Sequence, residues 1–419
     1  MKPSVKQILI SLLLLLSISM RSYAEDKDSY YIVSGIVKDK FSRKSLDYAN
    51  VSLSGSNVGT VTNEDGAFSL KIDKTIKSGE VELSHVGYRN IRITISGTDI
   101  LDEIYYLAPE LGALNAAIAQ SWEDPRKLIE TALRKVDQNY SKRPNLITGF
   151  YRETAQKRRA YINLSEAIIN IYKTSYSTDG NTHGDRVQIL KGRQLLSQKN
   201  GDTLIVKLLG GPNMAIFADV VKNPDMLFSL KTLSDYNFKM MNPVMIDDRL
   251  QFTVNFEPQS VMPYPLFYGT AYIDQKTLTF TRIEFSMDMS DKNKATDVIL
   301  RRKPGGLRFK PEELTFTVTY KQRDDKTYLN YMRNDIKFKC DWKRRLFATN
   351  YTVTSELVAT EIEEHISSNI SRKEAFKPNE SLSDKVMSFY DSNFWGAYNI
   401  IEPSESLESA VNKLKKQYK

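Results

Sequence analysis

Apolar and polar residues alternate with a two-residue period through most of this chain, and the breaks in that alternation divide it. From Val33 to Ser96 the apolar members fall as Val33, Gly35 and Val37, then Ala49, Val51 and Leu53, then Phe68, Leu70 and Ile72, then Val81 and Leu83, and finally Ile91, Ile93 and Ile95. Ser34, Asn50, Ser52, Ser69, Lys71, Glu82, Arg92 and Thr94 interleave with them, so each run offers one face to a core and the other to polar surroundings. Glycines such as Gly55, Gly66, Gly79 and Gly87 separate the runs, where turns demand positive φ or close backbone approach. Five or more short strands spaced in this way predict a β-sandwich over residues 30–108.

The period then changes. Leu107-Ala108-Pro109-Glu110 opens a linker, and Asp124-Pro125 supplies a cap and a first-turn proline. Leu128, Ile129, Ala132, Leu133, Val136 and Tyr140 recur at helical spacing before Pro144, so residues 109–145 read as linker plus amphipathic helix. Alternation returns over residues 146–360, in Ile162 and Leu164, in Phe252, Val254 and Phe256, in Ile283, Phe285 and Met287, in Phe316, Val318 and Tyr320, and in Tyr351 and Val353. Turn signals such as Asn200-Gly201-Asp202, Asp247-Asp248 and Asp324-Asp325 separate these runs. Together they predict a large antiparallel curved sheet or half-open barrel. Two apolar segments interrupt it, Ile216 to Val221 and the proline-broken stretch Pro258 to Tyr268. They either complete the core or line an apolar cavity, and the second option makes Phe217, Tyr264, Phe267 and Tyr268 candidate ligand contacts. Over 361–419 the pattern turns helical: Leu382, Val386 and Phe389 share a face, Phe394 to Tyr398 form an aromatic knot expected to pack on the sheet, and Ser404 to Gln417 predict a final helix.

Charge and composition add the compartment. Lys2 and Lys6 precede the apolar run Ile8 to Ile18, and Ser22-Tyr23-Ala24 ends it with small residues, which predicts a signal peptide over 1–24. The run is shorter than the ~20 residues that span a membrane. Loss of Lys2, Lys6 and Arg21 takes the net charge from +8 to +5. The basic clusters Lys157-Arg158-Arg159, Arg301-Arg302-Lys303 and Lys343-Arg344-Arg345 read as solvated hairpin turns, not a nucleic-acid surface. Cys340 is the single cysteine and shares a strand face with Ile336 and Phe338, so burial rather than a disulfide must hold the fold.

The order Ser34-Gly35-Ile36-Val37, Leu46 to Leu53, Gly59 to Phe68 and Ser84-His85-Val86-Gly87-Tyr88 resembles the carboxypeptidase-regulatory-like domain. The resemblance implies a transthyretin-like sandwich, common at the start of outer-membrane transporters and other exported proteins of two-membrane bacteria. It brings no peptidase residues. Tyr268 to Asp274 with Thr279 to Phe285 resembles the strand pattern of periplasmic lipoprotein carriers, whose half-open barrel holds acyl chains. The ending from Phe389 to Leu414 is similar to that of exported proteins that join the regulatory-like domain to an uncharacterised β-rich body.

The chemistry the chain lacks narrows its function. None of His85, His183 and His365 has a second His or a Glu at zinc-protease spacing, no Gly-x-Ser-x-Gly elbow occurs, and Gly210-Gly211 is not followed by the Lys-Ser/Thr of a phosphate loop. Asn63 to Phe68 has too few oxygen ligands for a calcium loop and reads as a turn with Asp65-Gly66 at its left-handed corner. No catalytic residue, cofactor or metal is expected. The primary expectation is a non-enzymatic cell-envelope binding or scaffold protein at the periplasm or outer-membrane periphery, with an envelope or outer-membrane protein as partner and no nucleic acid. Two alternatives stay open: a periplasmic carrier of a lipid or other apolar ligand, and a glycan or peptide hydrolase using two carboxylates brought together from distant strands.

Overall fold

A computed structural model of the chain describes residues 29–110, 124–177, 184–202, 204, 206–208, 210–342, 347–364, 366, 369–377, 380, 382, 385–386 and 394–417. The expected signal peptide, most of the linker, His183, His365, Lys343 to Arg345 and Phe389 lie outside them.

The first unit is a sandwich of β1 (Tyr30–Asp39), β2 (Asn50–Leu53), β3 (Gly59–Val61), β4 (Ala67–Asp73), β5 (Gly79–Ser84), β6 (Ile91–Ile95) and β7 (Ile100–Leu107). One sheet has the order β4-β1-β7 and the other β3-β2-β5-β6. Tyr31, Val33, Val37, Val51, Phe68, Leu70, Ile72, Val81 and Leu83 fill the space between them, as the alternation requires. β7 runs parallel to β1. A Cβ on Gly35 would stand 2.3 Å from the Glu103 carbonyl oxygen, so glycine is what lets these two strands approach. At the Asn63 turn, Asn63 Oδ1 accepts from the Asp65 and Ala67 amides at 2.9 Å each. Gly66 takes the left-handed corner at φ +76°.

The second unit carries β8 (Asn145–Lys157), β9 (Ala160–Lys173), β10 (Arg186–Leu196), β11 (Lys207–Leu208), β12 (Tyr236–Ile246), β13 (Arg249–Pro258), β14 (Phe267–Asp274), β15 (Phe280–Met287), β16 (Leu300–Arg302), β17 (Leu307–Arg323), β18 (Lys326–Trp342) and β19 (Thr349–Glu363). Ten of these form one sheet in the order β10-β9-β8-β19-β18-β17-β15-β14-β13-β12. Each neighbouring pair is antiparallel. The sheet is open, with β10 and β12 at its edges. The chain is thus mainly β, with a large unclosed antiparallel sheet and a few helices.

Elements pack on both faces of the sheet. On the inner face lie α1 (Pro125–Arg134), α2 (Val136–Asn139), α3 (Met214–Phe217) and α4 (Lys292–Ile299), which close the main core over Tyr151, Phe316, Val318, Ile336, Phe338 and Cys340. Asp124 caps α1 through its carboxylate, at 2.9 Å from the Arg126 amide. The helix ends before Tyr140, which instead reaches the Phe280 carbonyl at 2.7 Å. On the outer face, Phe150, Ile168, Tyr331 and Val358 pack with Val61 of the sandwich and with Trp395 and Ile401 of the tail. The tail ends in α5 (Glu405–Lys415), whose Leu407, Val411 and Leu414 cover Leu164 and Leu195. Ile162 belongs to the inner core and Leu164 to the outer cluster, although their spacing of two predicts a shared face. A register shift at Ala155/Gln156 against β9 inserts the extra residue that turns one of them over.

Candidate functional site

A row of charges crosses the outer face, and it follows from pairing register alone. Arg193 on β10 stands opposite Glu166 on β9, Glu166 opposite Arg152 on β8, Arg152 opposite Glu356 on β19, and Glu356 opposite Arg333 on β18. Residues directly opposite in an antiparallel pair share a face, so five strands contribute one line of alternating sign. Arg152 and Arg193 each lie 2.8 Å from Glu166, and Arg333 lies 3.1 Å from Glu356. Burial by itself would raise the Glu166 carboxyl, but the two guanidiniums outweigh it and hold the group below the usual glutamate range. Burial opposes the charge on Arg333, and Glu356 and Asp335 outweigh that, leaving it more firmly protonated than an ordinary arginine.

Two further rows run beside this one. Thr154, Thr354 and Asp335 are register partners, as are Gln156, Thr352, Lys337 and Glu313. Exposure rises from row to row: Arg152 and Glu356 are buried, Thr354 and Asp335 half-buried, and Lys337 exposed. The three rows make a polar floor that tilts out of the protein.

Walls come from the other two parts of the chain. Tyr48, Asn63 and Glu64 of the sandwich stand on one side, and Ile401, Glu402, Ser404 and Leu407 of the tail on another, enclosing a cleft of about 280 Å³. Tyr48 stacks on Tyr331 with ring centres 5.7 Å apart, its hydroxyl accepts from Arg333, and Glu64 reaches Arg333 at 3.4 Å. Asn63 Nδ2 donates to the Pro403 carbonyl at 3.0 Å, Thr60 Oγ1 to the Ile400 carbonyl at 2.8 Å, and Arg152 to the Ile401 carbonyl at 2.7 Å. Asp65 accepts the Glu405 amide at 2.6 Å, so a sandwich turn caps the tail helix. The sandwich is docked by β3 and the turns beside it, and the cleft lies where all three parts meet. Glu402 faces this cleft, and burial raises its carboxyl above the ordinary glutamate value while Arg152 and Lys71 partly offset the rise.

The four candidate contacts for an apolar ligand differ in burial. Phe267 is buried, with ring contacts to Phe285 at 5.3 Å and Phe316 at 6.4 Å. Phe217 is half-buried against the main core. Tyr264 and Tyr268 are 47% and 50% exposed, Tyr268 being the next residue along β14 from inward-facing Phe267. The floor of the polar cleft was not singled out by sequence, because its residues are outward positions on β8, β17, β18 and β19 that meet only through the pairing register.

Residues 33–116 match the model of the CarboxypepD_reg-like domain, in agreement with the motifs of the sandwich. No curated protein matches the chain in sequence. Among solved structures, similarity is found to an outer membrane lipoprotein-sorting protein domain from Vibrio parahaemolyticus, at 11% identity and TM-score 0.25, covering 61% of this chain and 96% of that one. A LolA superfamily protein from Nitrosomonas europaea is similar at 13% identity and TM-score 0.23, covering 59% and 97%. A membrane-associated protein of unknown function from Bacteroides fragilis is similar at 8% identity and TM-score 0.16, covering 80% and 98%. No helix among the described residues is long and apolar enough to cross a membrane.

Proposed function

We propose that the protein is a non-enzymatic binding protein of the cell envelope, and that its ligand site is the polar cleft between sandwich, sheet and tail. The observation that carries this reading is the composition of the cleft. Hydroxyls of Tyr48, Tyr161, Thr154, Thr352 and Thr354, amides of Asn63 and Gln156, and side chains of both charges converge on one depression. Such a set donates and accepts hydrogen bonds in many directions while offering aromatic rims. A hydroxyl- and amide-bearing ligand, the chemistry of an envelope glycan, fits that inventory. The predicted signal peptide supports the compartment.

The test is calorimetric titration with soluble fragments of bacterial envelope glycan. Thr352→Trp, which raises a large ring from the cleft floor, is expected to weaken binding by about tenfold or more, a loss of ~1.4 kcal/mol, without moving the unfolding midpoint. Undiminished binding by this variant places the ligand elsewhere.

One observation favours a second reading. Glu402 has a carboxyl raised by burial in a cleft that also holds Glu356 and Asp335, and a glycan hydrolase works through a pair of carboxyl groups. Against it, Asp335 and Glu356 are already engaged by Arg333, at 2.8 and 3.1 Å. Release of reducing ends that disappears in Glu402→Gln decides for hydrolysis, and binding without turnover decides for a binding protein. The apolar-carrier alternative draws its support from the open sheet and from the carrier-like strand pattern of Tyr268 to Asp274 and Thr279 to Phe285, while Met214, Ala215, Ala218, Val220 and Val221 pack into the inner core.

A further inference from the structure

Behind the inner face, the segment that follows α3 is held by charged groups fully removed from water. Lys173, at the end of β9, donates from Nζ to Asp219 Oδ2, and both side chains are 0% exposed. Tyr176 donates to the same oxygen at 2.6 Å, and Tyr320 donates to Asp219 Oδ1 at 2.9 Å. A second carboxylate stands beside the pair, with Asp185 Oδ2 at 3.9 Å from Lys173 Nζ. The other Asp185 oxygen is taken by Lys222 at 2.7 Å and by the Thr174 amide and hydroxyl at 2.8 Å each. Asp185 Oδ2 itself is buried with no hydrogen-bond partner.

A structural ion pair does not need this constellation. Replacing such a pair with apolar residues is commonly neutral or stabilising, and an unpartnered buried carboxylate oxygen is costly. The arrangement instead has the parts of an acyl transfer: an amine against a carboxyl carbon, donors on both carboxyl oxygens, and a free base beside the nitrogen. Burial holds the Tyr176 and Tyr320 hydroxyls well above their ordinary pKa, with Asp219 adding to the rise, so they remain donors.

We propose that Lys173 and Asp219 join in a self-formed isopeptide bond, with Asp185 relaying the proton. Proton transfer within the Lys173–Asp219 hydrogen bond gives a neutral amine and a neutral acid. The amine lone pair attacks Asp219 Cγ, a C–N bond forms, and the negative charge on Oδ1 is held by Tyr320, as donors aimed at a developing oxyanion do. The nitrogen then passes a proton to Asp185 Oδ2. Asp185 returns it to the protonated Oδ2 of Asp219, the C–O bond breaks and water leaves. The net change is ammonium plus carboxylate to amide plus water, so no oxidant or other reactant is needed. The fold supplies the proximity that makes an otherwise slow condensation intramolecular. The bond would tie β9 to the segment over the inner face, a covalent staple in a chain whose single cysteine cannot form one internally.

The experiment is the denatured intact mass of the purified mature protein, followed by peptide mapping. The expected result is a mass one water below the sum of the residues, with the peptide containing Lys173 joined to the one containing Asp219. Asp185→Asn, close in shape, is expected to slow formation by about 100-fold or more, the contribution typical of general acid–base catalysis. Wild-type protein at its full unlinked mass overturns the proposal even if the variant fails to fold. So does a missing water that maps within one peptide or to any other pair.

Discussion

Glu166→Ala is expected to cost about 3–5 kcal/mol of folding stability, the usual effect of stripping a partner from a buried ion pair. Glu166 is 1% exposed and is the only acidic register partner between Arg152 and Arg193, which are 3% and 4% exposed. Its removal leaves two guanidiniums buried side by side, and one of them also holds the tail through the Ile401 carbonyl. Urea unfolding at neutral pH measures the loss, and a change below about 1 kcal/mol would mean that the row is a surface-grade contact. The effect has a pH signature. Burial pulls the Glu166 carboxyl upward, but Arg152 and Arg193 bring it net below the ordinary value of 4.5. A carboxylate depressed in the folded state stabilises fully above its unfolded pKa, and the stabilisation fades as pH falls through the folded one. The gap between wild type and variant should therefore be full at neutral pH and shrink in acid, below the ordinary glutamate value.

Trp395→Ala should cost about as much, ~3–5 kcal/mol, through packing. Trp395 is 3% exposed, meets Phe150 edge-on at 5.5 Å and carries the Arg193 guanidinium over its ring at 4.6 Å. Together with Val61 and Ile401 it forms the apolar seam beneath the cleft. Limited proteolysis of the variant is expected to release the tail first. A tail that stays protected while the sheet is cut would show that its hydrogen bonds to Asn63, Lys71 and Asp65 hold it without the indole.

Much of this fold was legible because alternation reports burial. Val33, Val37, Phe68, Leu70 and Ile72 were assigned to a core face and are buried there, and Ile336, Phe338 and Cys340 likewise. Asp124 announced its helix, since a capping side chain is a local signal. β7 was less readable: Leu101, Asp102, Glu103, Ile104, Tyr105 and Tyr106 keep no period, because this edge strand leaves apolar Leu101 and Ile104 half-exposed. Ile162 and Leu164 misled for the opposite reason, a bulge that keeps the sequence pattern and changes its meaning. The polar cleft was beyond reach because Arg152, Glu166, Arg193, Arg333 and Glu356 become neighbours only through the register of five strands. The available sign was weak: Glu166 and Lys173 flank a stretch that holds Ala167, Ile168, Ile169 and Ile171, and the partners of two charges in such surroundings only the fold could name.

The central claim is that sandwich, sheet and tail together form one binding site. Amide hydrogen exchange on the mature chain, with and without saturating envelope-glycan fragments, tests it most directly. Added protection is expected in Tyr48 to Glu64, in Thr352 to Glu356 and in Ile401 to Leu407, all three together. Protection confined to Met214 to Val221 and Tyr264 to Tyr268, or to the sandwich alone, would contradict it.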